Sequence, residues 1–484
     1  MRTAVLYPPF TKNGLYPLIT QNRQFRYAHS LKVKIFPLVA ASLATVLKNK
    51  GHEVLFLDGV TRRMSRSDFD GSVRDFNPEL VFIETKAPLM NEIAGYIGKL
   101  REDLPSCRTV LFGDECTCRP AEALGSTDCD YVLTGGDYDH FGGLLADAVE
   151  KGTELPRGVY LKENGTVKGS HFELIGELDM LPLVDRDLTS SDLYEEAYLY
   201  HPCAYILTGR GCGARRSAGV CTFCIWQNVL WERTMRLHSP DRVAEEIEML
   251  VKKYGAVEIF DDNESGAIYD FGWLEEFLVR LEKRDLIGRF FLSSNARADA
   301  LDEKTCVLLK RIGYRLLKVG LESGTDKYLS LIGKGETASE IRTGIKNAKD
   351  QGLKIMLTVM TGFPDETDAE AEMTFRAAKE LMLYKTRFGD CLQASILVPY
   401  PGTPLFKLLK ERGSISPEAN ADEYSMEKSV IAHSIDANKW CRKIWGLHLD
   451  PGFLLRSLFT IRNKYDMATA MRGAASLFGH LKDF

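Results

Sequence analysis

Two series of short apolar segments alternate with amphipathic helical segments, and this pattern constrains the fold most strongly. The first series runs through residues 1–150, and the second begins near residue 204. Strands that alternate with helices pair in parallel, with helices covering both faces of the sheet. We therefore expect an α/β protein with two parallel sheets. Strands are predicted at 3–7, 53–57, 80–84, 108–112 and 131–133, and then at 204–208, 257–260, 290–293, 316–320, 355–359 and 392–398.

The number of strands in the second series predicts its architecture. Six βα units are fewer than the eight of a closed TIM barrel, so we predict a partial (βα)6 barrel over residues 201–405. A chain of 484 residues is too long for one core. Residues 1–150 are predicted to form the first α/β domain, 151–200 a polar linker with a small hairpin near 158–172, and 406–484 a helical C-terminal region.

The composition argues against several classes of protein. A net charge of −5 gives no overall attraction to nucleic acid, and no run approaches the ~18 apolar residues of a membrane span. The first residues, MRTAVLYPPF, have prolines where a signal peptide has its apolar run. Eleven cysteines, an odd number spread along a long chain, do not resemble a secreted disulfide framework. We therefore expect a cytoplasmic protein with reduced cysteines.

Unusual residues cluster at the predicted carboxyl ends of the barrel strands, where barrel enzymes carry their reactive groups. These clusters are GRGCGARRSAGVCTFCIW at 209–226, DDNE at 261–264, SNAR at 294–297, GLESG at 320–324 and GFP at 362–364. Five clusters at equivalent positions of the fold predict one shared site.

The first cluster holds three thiols, Cys212, Cys221 and Cys224, one too few for a closed tetrahedral zinc site. His201 and His238 flank it, so a Cys3His zinc site is one alternative. An iron–sulfur cube held by three cysteines is the other, and it would leave one iron free to bind a substrate or cofactor. Soft thiolates suit both metals.

The order of these motifs resembles that of a radical S-adenosylmethionine (SAM) enzyme with an N-terminal cobalamin-binding-like domain. The resemblance covers nearly the whole chain and implies a flavodoxin-like first domain, a partial barrel and a [4Fe–4S] cluster on Cys212, Cys221 and Cys224. The loop departs from the family pattern CxxxCxxC, because eight residues, GARRSAGV, separate the first two cysteines. A longer loop costs little closure entropy, so the cluster remains the prediction. Arg215 and Arg216 in the gap are expected to be solvated.

The resemblance also implies that SAM is contacted by Phe223, Asp262, Glu264, Ser294, Arg297, Glu322 and Ser323. Phe223 would lie against the adenine, and Asp262 and Glu264 would meet the ammonium, since a cation favours anionic acceptors. Ser294 and Arg297 would contact the carboxylate or the ribose. The alternative for the polar residues is helix capping, and the alternative for Phe223 is simple packing. No catalytic residue is assigned.

The resemblance implies radical chemistry on an unactivated carbon. The reduced cluster would cleave SAM, the 5′-deoxyadenosyl radical would abstract hydrogen, and methylcobalamin would deliver a methyl group. The cobalamin-ligand signature DxHxxG is absent from the sequence, since Asp139 and His140 are adjacent. The alternatives are a radical SAM dehydratase, cyclase or carbon–carbon coupling enzyme without cobalamin, and an iron–sulfur or zinc redox-sensing protein. Cys203 is the nearest substitute if Cys212 is not a ligand.

Residues 439–484 are basic and apolar, with arginines among large apolar residues at helical spacing. This pattern predicts an amphipathic helix packed on the barrel, and an interfacial helix that contacts a membrane or a lipid-like substrate is the alternative. We expect a hydrophobic small-molecule substrate, such as a lipid, an isoprenoid or a tetrapyrrole. The resemblance also implies an external one-electron reductant of the flavodoxin or ferredoxin type, and no nucleic-acid partner is expected.

Overall fold

The chain divides into two compact units in the computed structural model. The model describes residues 1–19, 27–28, 33–213, 221–264, 266–416, 423–425, 429–431 and 435–480. The first unit comprises Met1–Tyr194, Asn228–Glu232 and Asn420–Ser425, and the second comprises Glu195–Gln227, Arg233–Ala419 and Met426–Phe484. Each unit contains one of the two sheets that the sequence predicts.

The first unit is built on a flavodoxin-like sheet. Its five parallel strands are β1 (Arg2–Tyr7), β2 (Glu53–Asp58), β3 (Leu80–Thr85), β4 (Arg108–Gly113) and β5 (Tyr131–Leu133). Their order across the sheet is 2-1-3-4-5, the order of flavodoxin-like folds. The predicted hairpin is present as β6 (Val159–Glu163) and β7 (Thr166–Gly169), and β6 pairs antiparallel with β5. The hairpin therefore extends this sheet.

Helices follow each strand of the first unit: α1 (Leu38–Asn49), α2 (Arg66–Phe76), α3 (Met90–Asp103), α4 (Asp114–Cys118), α5 (Pro120–Thr127) and α6 (Tyr138–Lys151). Every residue of β3 is buried, as expected for a strand covered on both faces. Two glycines of α6 allow α1 to approach closely. A Cβ at Gly142 or Gly143 would lie 2.6 Å from a methyl carbon of Leu43 or Val46. A larger residue at either position would separate the two helices.

The second unit is a partial (βα)6 barrel. Its strands are β8 (Cys203–Ile206), β9 (Glu258–Asp261), β10 (Phe291–Ala296), β11 (Tyr314–Glu322), β12 (Lys354–Thr361) and β13 (Cys391–Ile396). They are parallel and lie in sequence order, with β8 and β13 at the two edges of the sheet. All carboxyl ends therefore face the same way, and we call this end the barrel mouth.

The helices of the second unit are α7 (Pro240–Tyr254), α8 (Phe271–Lys283), α9 (Glu303–Ile312), α10 (Asp326–Leu331), α11 (Ala338–Asp350), α12 (Asp368–Leu383), α13 (Pro404–Glu411), α14 (Ala437–Trp445), α15 (Pro451–Phe459) and α16 (Lys464–His480). Local sequence sets their starts. Thr337 and Glu340 form a reciprocal capping box at α11, and Thr367 and Glu370 form another at α12. Within the described residues, no helix has the length and apolar character needed to cross a membrane.

Helix α16 is attached to the end of the barrel opposite the mouth. Asp466 of α16 is buried and lies 2.9 Å from the ammonium of Lys354, the first residue of β12. Tyr200, just before β8, also donates to Asp466. Arg472 donates to the carbonyl of Leu199 over 2.9 Å. This helix is thus fixed by charged and polar contacts at the amino ends of the strands.

A buried ion pair at the same end yields a test of the fold. Arg315 of β11 donates to Glu258 of β9 through Nε at 2.8 Å, and both side chains are buried. Glu258→Ala would leave the guanidinium unpaired in the core, and we expect the free energy of unfolding to fall by about 3–5 kcal/mol. The measurement is urea-induced unfolding of the second unit, with circular dichroism as the signal.

The matched control is Arg376→Ala, because Arg376 pairs with Glu372 at a surface position where its side chain is 77% exposed. The free energy of unfolding of this variant should be almost that of the wild type, since exposed ion pairs contribute little to stability. Equal effects of the two substitutions would contradict the assignment of Glu258 as a structural partner.

Candidate cofactor site at the barrel mouth

The segment that leads to Cys212 is held rigidly at the barrel mouth. Beyond β8, the short strand Gly209–Gly211 pairs antiparallel with Met235–Leu237. Gly211 has a φ of +100°, and a Cβ there would overlap the carbonyl oxygen of Thr234. Only glycine tolerates both this positive φ and the close approach of the Thr234 carbonyl. Cys212 therefore leaves the strand in a direction that the backbone fixes.

The CTFC segment is anchored by two other parts of the barrel. The backbone N–H of Thr222 donates to the carbonyl of Ile332 over 2.7 Å, and the N–H of Leu405 donates to the carbonyl of Thr222 over 3.1 Å. Cys224 donates to the carbonyl of Cys221 over 3.1 Å. Arg215 and Arg216 lie outside the described residues. The CTFC segment is thus attached to the end of α10 and to the start of α13.

The three thiols are half-buried and act on one another electrostatically. Burial raises the pKa of Cys224 well above its ordinary value, and the charges of Cys221, Glu264 and Cys212 raise it further. A bound cation would reverse this effect, because a metal ion stabilises the thiolate.

Arg297 links the thiol group to the rest of the mouth. Its guanidinium is buried at the end of β10 and donates to Cys221 Sγ over 3.4 Å. It also donates to the carbonyl of Lys334 over 2.5 Å and lies 3.0 Å from the carboxylate of Glu336. Although burial lowers it, the charges of Cys221 and Glu336 hold the pKa of Arg297 above its ordinary value. The predicted contact of Arg297 with SAM stays a prediction.

A buried cation and a strained glutamate extend this network. Lys334 lies 3.2 Å from Glu322 and 3.7 Å from Glu336, and all three side chains are largely buried. Glu322 ends β11 with a φ of +57°, which is uncommon for a residue other than glycine. Ser323 accepts from the N–H of Thr325 over 3.2 Å. Both residues lie at the mouth, and their predicted contact with SAM stays a prediction.

Asp261 joins the ends of three strands. Its buried carboxylate accepts from the N–H of Thr208 at 2.9 Å and from its hydroxyl at 2.7 Å. Ser294 of β10 donates to it over 3.3 Å. The predicted SAM-binding role of Ser294 is untested, but its present contact is structural.

The DDNE segment borders the cysteines. The carboxylate of Glu264 accepts from the N–H of Gly211 over 3.1 Å, one residue before Cys212. Asp262 is buried beside it, and its N–H donates to the carbonyl of Ile206 over 2.9 Å. Among the described residues, the buried Nδ2 of Asn263 has no hydrogen-bond partner. A ligand with an acceptor at this point would satisfy it.

The capping alternative fails for two of the predicted residues. The residues that cap α8 and α9 are Asp270 and Asp302, which accept from the first-turn N–H groups of those helices. Asp262 and Ser294 lie earlier in the chain and have no part in these caps. Phe223 packs against an apolar cluster that includes Phe363, so its predicted contact with adenine remains untested.

The structure also locates the flanking candidates. His201 and Cys203 lie at the amino end of β8, and His201 contacts the carbonyl of Glu196 at 3.1 Å. Cys212 follows the opposite end of that strand. His201 is therefore not a fourth ligand, and Cys203 is not a substitute for Cys212. His238 lies on the mouth side, where its N–H donates to Thr208.

Sequence reasoning missed several residues of this site. Lys334 and Glu336 follow α10 in the segment GKGE, which carries no motif. Tyr269 donates its hydroxyl to Asp299 and accepts from Arg297 Nε over 2.8 Å. Asp261 is the one further site residue that the sequence indicates, because it is the first residue of the DDNE cluster.

The carboxyl edge of the first sheet carries a separate set of buried polar groups. Tyr7 at the end of β1 donates to Glu84 of β3, and Lys86 pairs with Asp114, which begins α4. Tyr7 and Glu84 flank the boundary between β1 and β3, where the strand order reverses, and the Lys86–Asp114 pair joins the ends of β3 and β4. Flavodoxin-like sheets bind their ligands at this boundary.

A cleft opens beside the same edge. Tyr194 donates to Asp58 over 2.9 Å at its base. Burial raises the pKa of Asp58 above its ordinary value. The cleft is lined by Tyr7, Pro17, Leu18, Ile19, Lys34, Ile35, Pro37, Asp58, Val60 and Thr61. Its lining offers donors, acceptors and apolar surface to a ligand.

Comparison with known proteins gives concordant results. The sequence profile of the radical SAM superfamily matches residues 206–378. The chain is 30% identical over 381 residues to an uncharacterized methyltransferase of Pyrococcus horikoshii, covering 77% of this chain and 78% of that protein. It is 24% identical over 390 residues to the anaerobic magnesium-protoporphyrin IX monomethyl ester cyclase of Rubrivivax gelatinosus, covering 78% and 66%.

The fold is similar to that of a solved methyltransferase. The radical SAM methyltransferase TsrM from Kitasatospora setae, solved with cobalamin and a [4Fe–4S] cluster bound, superposes with a TM-score of 0.70. The alignment covers 99% of each chain at 16% identity. At this identity the likeness concerns the fold.

Asp261 gives a test of the geometry at the mouth. Burial raises its pKa to about 6, from an ordinary value of 3.8. Between about pH 4 and pH 6 the folded protein keeps a proton that the unfolded chain has lost, so this group's contribution to stability falls as pH rises. We expect the unfolding free energy of wild type relative to Asp261→Asn to fall by about 3 kcal/mol across that window.

The measurement is denaturant unfolding of both proteins from pH 4 to pH 7. Asp285→Asn is the control, because the side chain of Asp285 is 82% exposed. A difference between wild type and Asp261→Asn that does not change with pH would contradict the buried position of this carboxylate.

Proposed function

The chain belongs to the radical SAM superfamily, and on that basis we propose that it uses a [4Fe–4S] cluster and SAM in cobalamin-dependent methyl transfer. It is a radical SAM enzyme with an N-terminal cobalamin-binding-like domain. The proposed cluster ligands are Cys212, Cys221 and Cys224. The observation that carries the proposal is the grouping of these half-buried thiols at the barrel mouth, where Arg297 donates to Cys221.

The donor set suits this cluster. Three thiolates are soft ligands for iron, and a cube held by three leaves one iron for SAM. The flanking His201 and the substitute candidate Cys203 lie at the opposite end of β8, whereas the flanking His238 lies on the mouth side. When bound, the cluster supplies the electron for cleavage of SAM, and the protein orients the reactants and excludes water.

The residues of the mouth have distinct proposed roles toward SAM. Asp262 and Glu264 are the proposed acceptors for its ammonium, since carboxylates bind cations strongly. Asn263 Nδ2, a buried donor without a partner among the described residues, is a candidate donor to a SAM oxygen. Phe223 is the proposed contact for adenine. Further contacts with SAM are proposed for Ser294, Arg297, Glu322 and Ser323.

Cobalamin is proposed to bind at the carboxyl edge of the first sheet. The flavodoxin-like strand order and the polar groups at the β1–β3 boundary support this position. When bound, cobalamin supplies methyl transfer. We keep 1–150 as the cobalamin-binding-like domain, 151–200 as the linker, 201–405 as the barrel and 406–484 as the helical region.

A second function is favoured by one comparison. The similarity to a magnesium-protoporphyrin IX monomethyl ester cyclase supports ring formation in place of methyl transfer. It also supports a hydrophobic substrate, and a tetrapyrrole is the leading choice. The proposed partners are this substrate and an external one-electron reductant of the flavodoxin or ferredoxin type. We also propose a peripheral membrane contact through the C-terminal tail.

Removing the proposed ligands tests the cluster. After anaerobic reconstitution, Cys212→Ala, Cys221→Ala and Cys224→Ala should each lose most of the iron and sulfide and all production of 5′-deoxyadenosine. Cys203→Ala is the control and should retain both, because Cys203 lies at the other end of β8. Stoichiometric zinc in the wild type without SAM cleavage would contradict the enzyme assignment, and loss of cluster only in Cys203→Ala would contradict the ligand assignment.

Corrinoid content separates the two functions. We reconstitute the protein with iron, sulfide and hydroxocobalamin, remove the unbound corrinoid by gel filtration and quantify cobalt and iron. Methyl transfer predicts one cobalt per chain together with the cluster, because the edge of the first sheet then retains the corrinoid. Cluster without cobalt would contradict the methyltransferase and favour the cyclase.

A further inference from the structure

Exposed large apolar side chains are concentrated in the C-terminal tail. The described residues include twelve of them, and seven lie between positions 449 and 471. The other five are scattered singly over the surface, which is ordinary for a globular protein. The seven are Leu449, Leu454, Leu455, Leu458, Phe459, Met467 and Met471, with exposed fractions of 48, 39, 57, 60, 78, 54 and 72%.

Four of these side chains share one face of α15. Leu454 and Leu458 are four residues apart, as are Leu455 and Phe459, so one stripe of the helix carries them all. Phe453 belongs to the buried side and is only 5% exposed. Apolar residues on one face of an amphipathic helix normally face the core, whereas this face points to solvent.

The exposure does not result from a loose helix. Asp450 caps α15 by accepting from the N–H groups of Gly452 and Phe453. Thr460, at its other end, accepts from the N–H of Phe388 over 2.7 Å. Arg456 donates to the carbonyl of Leu383 over 2.7 Å. These contacts hold the helix on the barrel with its apolar face outward.

The following helix adds apolar surface and positive charge. Met467 and Met471 are one turn apart on α16, and both are exposed. Arg462 and Lys464 are exposed in the turn before them. The one acid of this segment, Asp466, is buried against Lys354, so it does not offset these charges at the surface.

We propose that α15 and the first turns of α16 form a docking surface for an anionic lipid bilayer. Large apolar residues beside exposed cations are the signature of a helix that lies in the membrane interface, where acyl chains take the apolar face and phosphates meet the cations. With nine residues, α15 is too short to span. The inference specifies the membrane contact proposed above and does not depend on methyl transfer.

The surface acts as an anchor and not as a substrate entrance. Phe388 precedes β13 and Lys354 begins β12, so the contacts of α15 and α16 are at the amino ends of the strands. The cysteines lie at the opposite end of the barrel. Docking therefore leaves the barrel mouth directed away from the bilayer.

The test is co-sedimentation of the full chain with vesicles of phosphatidylglycerol and phosphatidylcholine, and with vesicles of phosphatidylcholine alone. We expect binding to the anionic vesicles and much weaker binding to the neutral ones. The triple variant Leu455→Asp, Leu458→Asp, Phe459→Asp should lose more than tenfold in affinity. Arg462→Gln and Lys464→Gln should each lose about fivefold, since a cation near such a surface contributes about that factor.

Met373→Asp is the matched control, because Met373 is 52% exposed on α12 and lies outside the docking surface of α15 and α16. It should bind like the wild type. No binding by the wild type, or equal binding by the triple variant, would overturn the proposal. A wild-type dimer that the triple variant converts to a monomer, without vesicle binding, would identify the surface as an interface between copies and would overturn it too.

The outcome is independent of the proposed chemistry. The triple variant should keep its cluster content and its SAM cleavage, because the hydrogen bonds that hold α15 lie at the end of the barrel opposite the mouth. Loss of vesicle binding by the triple variant, with its cluster intact, would confirm α15 and α16 as the docking surface. Vesicle binding by a cluster-free Cys212→Ala variant would separate the docking proposal from the cluster proposal.

Discussion

A buried guanidinium must be satisfied on every side, and around Arg297 that requirement holds the barrel mouth together. Its donors reach Cys221, the carbonyl of Lys334 and the carboxylate of Glu336. These partners come from two segments of the chain, the CTFC segment and the segment that follows α10. Because an unpaired charge costs several kcal/mol in the interior, the segments take up one arrangement. The Sγ of Cys221 is thereby placed within hydrogen-bond distance of a fixed positive charge.

The parallel topology supplies the second constraint. In a sheet of parallel strands the carboxyl ends share one edge, so residues far apart in the chain meet there. Asp261 receives hydrogen bonds from Thr208 and Ser294, which belong to the ends of neighbouring strands. In the first unit the same rule brings Tyr7 to Glu84 across the boundary between β1 and β3. In each sheet, polar groups of separate strands therefore meet at the carboxyl edge.

The sequence predicted much of the fold because apolar runs and helix caps are local signals. The predicted strand at 131–133 matches β5. Strand ends were less predictable, and β11 runs from Tyr314 to Glu322 where 316–320 was expected. Its extension depends on pairing with neighbours, which single segments do not reveal.

The site was predictable only where residue type itself signals chemistry. Cysteines and the DDNE cluster are conspicuous, whereas Lys334 and Glu336 become part of the site through long-range contacts with Arg297 and Glu322. The position of the C-terminal tail was likewise not predictable from residue type alone. Its composition suggested either packing or a membrane contact, and the fold supplies both, with Phe453 buried and Phe459 exposed on one helix.

The central claim is that the three cysteines leave one iron of the cluster open for SAM. Electron–nuclear double resonance of the reduced wild-type protein with SAM labelled by 15N in its amino group and 17O in its carboxylate tests this directly. We expect hyperfine coupling of both labels to the cluster. A cluster signal that SAM leaves unchanged, with no coupling to either label, would contradict it.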